Sequence, residues 1–344
     1  MDMVPVSAGH SRTDALTDMI ALARAADVAG YEHFWLAEHH GSTTYLSSAT
    51  IVLMGQVLAA TERLGVASGG IMLPNHAPLV VAEQIGTLAT LYPGRVELGL
   101  GRAPGTDRLT AAALRRGASD PGHFAEEILE ILTYLGDEPV PERLPGSLLL
   151  GTSSAPDAAA QMPGLDAPRV RAIPGEGTHP TVWVLGSSVN GARVAGRLGL
   201  PFAVASHFAP VQAEAAIATY RSVLESQAEE VQGAQALRPV PRVAAAVNVM
   251  VAPSQDEARF LFSTAMAAAA RIVGNRPAPL DPPTEDPQAW RAYAPGREAA
   301  VETAMSLSFV GTADDVASRL RELADRWDLD EILVVTYAHD PALR

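Results

Sequence analysis

The sequence predicts an α/β protein folded as a (β/α)8 TIM barrel with long insertions and a final helix that is short or absent. Three observations carry this expectation. Short apolar runs alternate with stretches of helical period along most of the 344 residues, as expected for parallel strands joined by crossover helices. About eight such runs can be counted, which suits a barrel. Polar residues gather just after several of them, where barrels collect their binding groups. The alternative is an open doubly wound sheet. No G-x-G-x-x-G follows the first strand, which weakens the dinucleotide-binding form of that fold.

Residues 4–6 form a short first strand, and residues 14–29 a helix with Leu16, Ile20 and Ala23 on one face. Gly30 closes that helix as a left-handed cap. The second strand is His33-Phe34-Trp35-Leu36-Ala37, and the second helix spans 49–61. Residues 63–73 contain a third strand, interrupted at Gly69-Gly70. A helix at 78–92, a Pro93-Gly94 turn, a strand at 95–100 and a long helical region to about 135 follow. The pattern then breaks. Residues 136–180 are rich in Pro, Gly, Ser and Ala, with at most one short strand near 170–173. A loop of that length usually carries function. Regularity resumes with strands at 181–185, 201–205 and 243–251 and helices at 189–198, 210–228 and 254–272. The proline-rich segment 275–296 is a candidate lid. A helix at 314–326 and a strand at 331–336 end a single domain spanning 1–344.

Composition excludes several function classes. A net charge of −14 opposes nucleic acid and anionic membranes alike. There is no cysteine, so disulfides and thiolate metal sites are out. All 25 basic residues are arginine, and without lysine no Schiff base forms. No apolar run is long enough to span a bilayer, and the N-terminus lacks the basic and apolar regions of a signal peptide. A soluble cytoplasmic protein acting on a small molecule is expected.

Five groups of residues follow strands or interrupt them. Glu38-His39-His40 leaves the second strand. It reads as a solvated loop entry, as metal ligands, or as one acid–base histidine facing a ligand. No His-x-His or His-Glu-x-x-His pattern completes a cage, so no metal is assigned. Gly69-Gly70 reads as a bulge or as bare backbone for a flat ligand. Arg102, in the glycine-rich exit Leu98-Gly99-Leu100-Gly101-Arg102-Ala103-Pro104-Gly105, reads as an anion contact or a solvated side chain. Gly186-Ser187-Ser188-Val189-Asn190-Gly191 reads as a phosphate seat at a helix start, or as a simple Ser188 cap. Ser206-His207-Phe208 reads as a pocket group or a surface loop. Together they place polar groups on one face of one barrel, which suits a phosphorylated planar cofactor such as FMN.

These same blocks resemble the bacterial luciferase-like flavin-dependent monooxygenases. The match runs through residues 31–40 ending in Glu38-His39-His40, through Ile71-Met72-Leu73-Pro74-Asn75-His76-Ala77-Pro78-Leu79 with Glu83-Gln84, and through Pro93-Gly94-Arg95 to Gly105. It continues in Val184-Leu185-Gly186-Ser187-Ser188, Gly199-Leu200-Pro201, Ala205-Ser206-His207-Phe208 and Phe309-Val310-Gly311-Thr312. The chain is most similar to the single-chain alkanal-monooxygenase-like branch. The resemblance implies that His39 is the active-site histidine, with Glu38 beside it. It implies that Gly69 and Gly70, often joined by a cis peptide, lie against the flavin ring. Arg102, Gly186, Ser187, Ser188 and Gly191 would hold the FMN phosphate. Gly101 and Ser187 stand where the luciferase α-subunit carries a cysteine and a glutamate, so light emission is not expected.

The implied reaction uses reduced FMN and O2 to pass one oxygen atom to an organic substrate through a C4a-(hydro)peroxyflavin. No nicotinamide site is recognisable, so a separate flavin reductase would supply the reduced cofactor, and relatives commonly form homodimers. Residues 136–180 and 275–296 would exclude water. The Ala- and Arg-rich composition makes natural-product tailoring one candidate role. The rivals are a hydride-transferring oxidoreductase using a deazaflavin or FMN, a non-catalytic flavin-binding protein, and a metal-dependent barrel hydrolase.

Overall fold

A computed structural model describes residues 1–103, 105–114, 121–137, 170–230 and 242–344. In chain order it contains α1 (Arg12–Ala29), β1 (His33–Leu36), α2 (Thr50–Ala60), β2 (Gly65–Ser68), β3 (Ile71–Met72), α3 (Pro78–Leu91), β4 (Val96–Gly101), α4 (Arg108–Leu114) and α5 (Phe124–Leu135). The second part holds β5 (Thr181–Gly186), α6 (Val189–Leu198), β6 (Phe202–Val204), α7 (Ala213–Glu230), β7 (Val243–Val251), α8 (Gln255–Val273), α9 (Glu298–Ala304), β8 (Ser308–Gly311), α10 (Ala313–Trp327) and β9 (Glu331–Val335). The chain ends with a single 3-10 turn at Pro341–Leu343. Among the described residues no helix is long and apolar enough to cross a membrane.

Every ladder between these strands is parallel. The path runs β1-β2-β4-β5-β6-β7, and β7 then pairs β9 along Ala244–Asn248 and β8 along Asn248–Val251. The first residues join the two edges of this (β/α)8 barrel. The Met1 α-amino group donates to the Val334 carbonyl at 2.8 Å, and the Asp2 amide donates to the Trp35 carbonyl at 2.7 Å.

Both faces of the sheet are buried, and the period of two sorts its side chains. Outward residues such as Phe34, Leu36, Val66, Leu98 and Val184 join the helices in the larger core. Inward residues, among them Trp35, Ala67, Trp183, Ala203, Ala246 and Leu333, form a second core inside the barrel. Charges seal its floor. Arg242 reaches Glu331 at 3.2 Å and Glu97 at 3.6 Å, and His33 lies between the same two carboxylates. The indole N–H groups of Trp35 and Trp183 donate to Glu331 and Glu97 at 3.1 and 2.8 Å. Both carboxylates at the floor thus gain partners, which buried charge requires.

Several expectations change. The strand at 4–6 is replaced by isolated bridges, because Val4 sits at φ +53°. The Asp2 carboxylate accepts the Val4 amide at 3.0 Å, a local bond that competes with a ladder. The chain then pairs with Thr44 and Leu46 instead. The interruption expected at Gly69-Gly70 within 63–73 does occur, as a cis bond between β2 and β3. Among the described residues, the helical region before 135 holds α4, a 3-10 turn at Pro121–His123 and α5. No strand forms at 170–173; a turn occupies 173–177. Residues 138–169 of the expected insertion lie outside the described residues. Helix α9 lies beyond the pattern-based segments, as does β8, which the resemblance alone marked at Phe309-Val310-Gly311. Gly30 does close α1 in the left-handed region, at φ +82°.

Candidate active site

A cavity of about 580 Å³ opens at the C-terminal ends of the strands. Strand register explains which groups reach it. β4 and β5 pair Gly101 with Leu185, so Arg102 and the Gly186-Ser187-Ser188 turn leave the sheet side by side. All four border the cavity, as does Gly191 in the first turn of α6. Ser188 is the N-cap residue of α6, yet its side chain makes no capping hydrogen bond. The reading of Ser188 as a simple cap therefore does not describe this turn. Arg102 is half-buried and meets no carboxylate among the described residues. A Cβ on Gly191 would stand 3.5 Å from Gly186 Cα, so the glycines leave open ground rather than filling a packing need.

The two strand-three glycines part company. Gly69 borders the cavity. Gly70 does not, because a Cβ there would lie 2.7 Å from the Gly99 carbonyl oxygen and 3.2 Å from Leu185. Its bare backbone serves the close approach of β2 and β4.

His39 borders the cavity, its ring centroid 5.1 Å from that of Tyr45. Burial lowers its pKa, opposed by the Glu38 charge and a backbone hydrogen bond at Gly105. His39 is thus neutral at neutral pH. The same two rings border a second cavity of about 570 Å³ with a mixed lining that includes His10, Arg12, Ser42, Val6 and Leu46. His39 and Tyr45 thus border both cavities. His207 faces the main cavity too, and burial drives its pKa down to about 3. Burial pushes the Tyr45 hydroxyl up to about 12.

Glu38 turns away from the cavity. It is 1% exposed, and one carboxylate oxygen lies 2.8 Å from Nε2 of both His40 and His76. Burial raises its pKa, but the two imidazoles outweigh that and the net shift is downward. Its ligand-type atoms and those of His40 and His76 all lie within 4.8 Å of one another. Both contacts have hydrogen-bond lengths, so the cluster is satisfied by its own protons. His40 is therefore more than a loop entry. Its carbonyl also accepts the Thr106 hydroxyl at 2.9 Å, tying the loop after β1 to the loop after β4.

The model of the luciferase-like monooxygenase family matches residues 3–328. The chain belongs to that family. A luciferase-like monooxygenase of Escherichia coli K12 is 38% identical over 335 residues, spanning 97% of this chain and 89% of that protein. The crystal structure of apo-MsnO8 has a TM-score of 0.76 and 31% identity, covering 99% of this chain and 92% of that one. The oxygenating constituent of 3,6-diketocamphane monooxygenase from Pseudomonas putida, a type II Baeyer-Villiger monooxygenase solved with FMN, shares the fold. Its TM-score is 0.64 at 19% identity, with 98% of this chain and 92% of that one covered.

In this member of the luciferase-like monooxygenase family, the cavity residues that the sequence did not single out come from distant segments. Tyr337 follows β9 and Tyr45 follows β1, and their rings meet 6.2 Å apart at the cavity. His76 lies inside the Ile71 to Leu79 block but carries no distinguishing spacing. Asn248 sits in the apolar strand β7, where its N–H2 donates to the His207 carbonyl at 2.6 Å. A polar residue inside such a strand was the available signal. Residues 275–296 do not border the main cavity; Leu280 pairs with Val6 and Ala8, and Asp281 holds Arg271 at 2.7 Å.

Proposed function

We propose that this family member is a flavin-dependent monooxygenase that binds FMN at the open end of the barrel and inserts one atom of O2 into an organic substrate. The observation that carries this reading is Arg102 standing beside the uncapped start of α6. An arginine fork, two free hydroxyls and the N–H groups of a ten-residue helix together suit a phosphate dianion. Bound reduced FMN would supply the activation of dioxygen.

The chain's own residues would do the rest. Arg102, Ser187, Ser188 and Gly191 hold the phosphate, and Gly69 presents bare backbone to the ring. His39, neutral in the cavity wall, can accept or donate one proton at the reacting face. Glu38 acts as a positioning residue: by fixing His40 and His76 it fixes the loop that carries His39. The apolar lining strengthens each of these contacts by excluding water. A separate flavin reductase supplies reduced FMN in this scheme. The direct test incubates the protein with photoreduced FMN, oxygen and a substrate panel, and reads products by mass spectrometry. The reading predicts a product sixteen mass units heavier, on the order of one oxygen per flavin oxidised. Oxygen uptake yielding hydrogen peroxide alone with every substrate, or turnover with a reduced deazaflavin only, would overturn it.

A further inference from the structure

We propose that the oxygen acceptor is an uncharged, apolar molecule, received in a chamber walled by the alanine face of α8, and that its free carboxylic-acid counterpart is refused. The proposal rests on the flavin reading above.

The wall is one helix face. Ala265, Ala268, Ala269 and Ile272 recur at spacings of three and four along α8, and all border the cavity. Ala246 of β7 and Met305 after α9 extend the same lining. Alanine keeps the helix regular while withdrawing the wall from the cavity, so these positions set how much room a ligand body has. The opening is apolar as well, since Phe208 and Ile272 border the cavity while remaining 55% and 51% exposed. A ligand crosses hydrocarbon from the entrance inward.

Charge decides the second half of the proposal. Among the described residues that border the cavity, Arg102 is the one side chain with a permanent charge. It lies at the β4–β5 exit, where the phosphate is placed, whereas α8 packs beside β7 and β8 on another arc of the barrel. The titratable groups around the chamber are held neutral. Burial lowers His39 and takes His207 to about 3, while it raises Tyr45 to about 12 and Tyr337 well above its ordinary value. The Met1 amine, bonded to the Val334 carbonyl, is lowered by burial to about 6. A carboxylate entering this chamber would lose its water and meet no cation, a cost that an ester, ketone, thioether or alkene escapes.

The test displaces the neutral fluorophore N-phenyl-1-naphthylamine from the protein, with and without FMN. The competitors are methyl hexanoate, methyl decanoate and methyl benzoate, each paired with its free acid near neutral pH. With FMN loaded, the best ester should bind about tenfold tighter than its acid or more. Ala268→Phe should weaken that ester about tenfold while leaving FMN quenching unchanged, and Ala268→Arg should erase or invert the preference for it. An acid that binds as well as its ester, an Ala268→Phe protein that keeps its ester affinity, or an FMN-loaded protein that takes none of the esters would each overturn the proposal. Selection of esters without any FMN quenching would instead sink the flavin reading and leave the chamber standing.

Discussion

Glu38 and His76 face each other across two loops, with His76 Nε2 at 2.8 Å from one carboxylate oxygen and 3.0 Å from the other. His40 takes the first oxygen as well, also at 2.8 Å. One buried anion therefore anchors the loop after β1 and the segment after β3. Glu38→Gln keeps the shape but removes the charge and one acceptor, and should lower stability by about 2 kcal/mol at neutral pH. The sign of the pH effect follows from the lowered carboxyl pKa. A depressed carboxylate stabilises above its unfolded pKa and loses that contribution as pH falls through the folded one. Urea unfolding of both proteins should thus show a wild-type advantage that is full above the ordinary value of 4.5 and shrinks at more acid pH. A constant difference across the acid range would refute the role given to Glu38.

His207 gives the opposite kind of acid sensitivity. Its pKa falls to about 3 from an ordinary 6.5 because burial penalises the charged ring, and its Nδ1 has no partner. Between those values the unfolded chain binds a proton that the folded chain does not, so stability falls as pH falls. From about pH 6.5 to about pH 5 the loss is about 2 kcal/mol. His207→Leu should remove that part of the slope, whatever it does to stability at neutral pH. Unfolding free energies measured across this range decide the matter, and a variant with the wild-type slope counts against it.

Much of this was legible in advance because period and punctuation act locally. An apolar run that stops at Glu38-His39-His40 marks a strand end, and α6 forms over Val189–Leu198, where its periodicity placed it. Other features depend on partners remote in the chain. Val4 leaves the ladder because Asp2, two residues away, takes its amide. Asp2 itself is fixed by an ion pair with Arg344, a contact that no local pattern encodes. Gly69 and Gly70 look alike in sequence, yet only the approach of Gly99 separates a cavity residue from a packing residue. The alanines of α8 predict a helix but not a wall, since alanine gives the same pattern whether it packs on a neighbour or borders a void.

Arg102 and the α6 turn predict a separation between cofactor affinity and apo stability. Arg102→Ala should weaken FMN binding by about tenfold to a hundredfold, the worth of charge-assisted hydrogen bonds to phosphate. Ser188→Ala should weaken it by a smaller factor, because a hydroxyl is a neutral donor. Neither change breaks an internal ion pair or cap, so apo unfolding should stay within about 0.5 kcal/mol of the wild type. Flavin fluorescence titration beside chemical denaturation tests both halves. Loss of stability that parallels loss of affinity would show that the turn is structural.

His39 makes the last prediction, and its pH profile is the informative readout. Burial lowers its pKa below the ordinary 6.5, so the neutral ring is already the dominant form at neutral pH. Product formation that needs a neutral His39 should therefore be flat through the neutral range and fall only on the acid side, below pH 6.5. His39→Ala should reduce the rate by about a hundredfold or more and abolish that acid limb. His39→Gln, which keeps a hydrogen-bonding group in the wall beside Tyr45, should keep the wild-type FMN affinity without restoring the limb. An acid limb that survives in both variants would assign the titration to another group, with the rate loss then reflecting the shape of the wall rather than a proton held there.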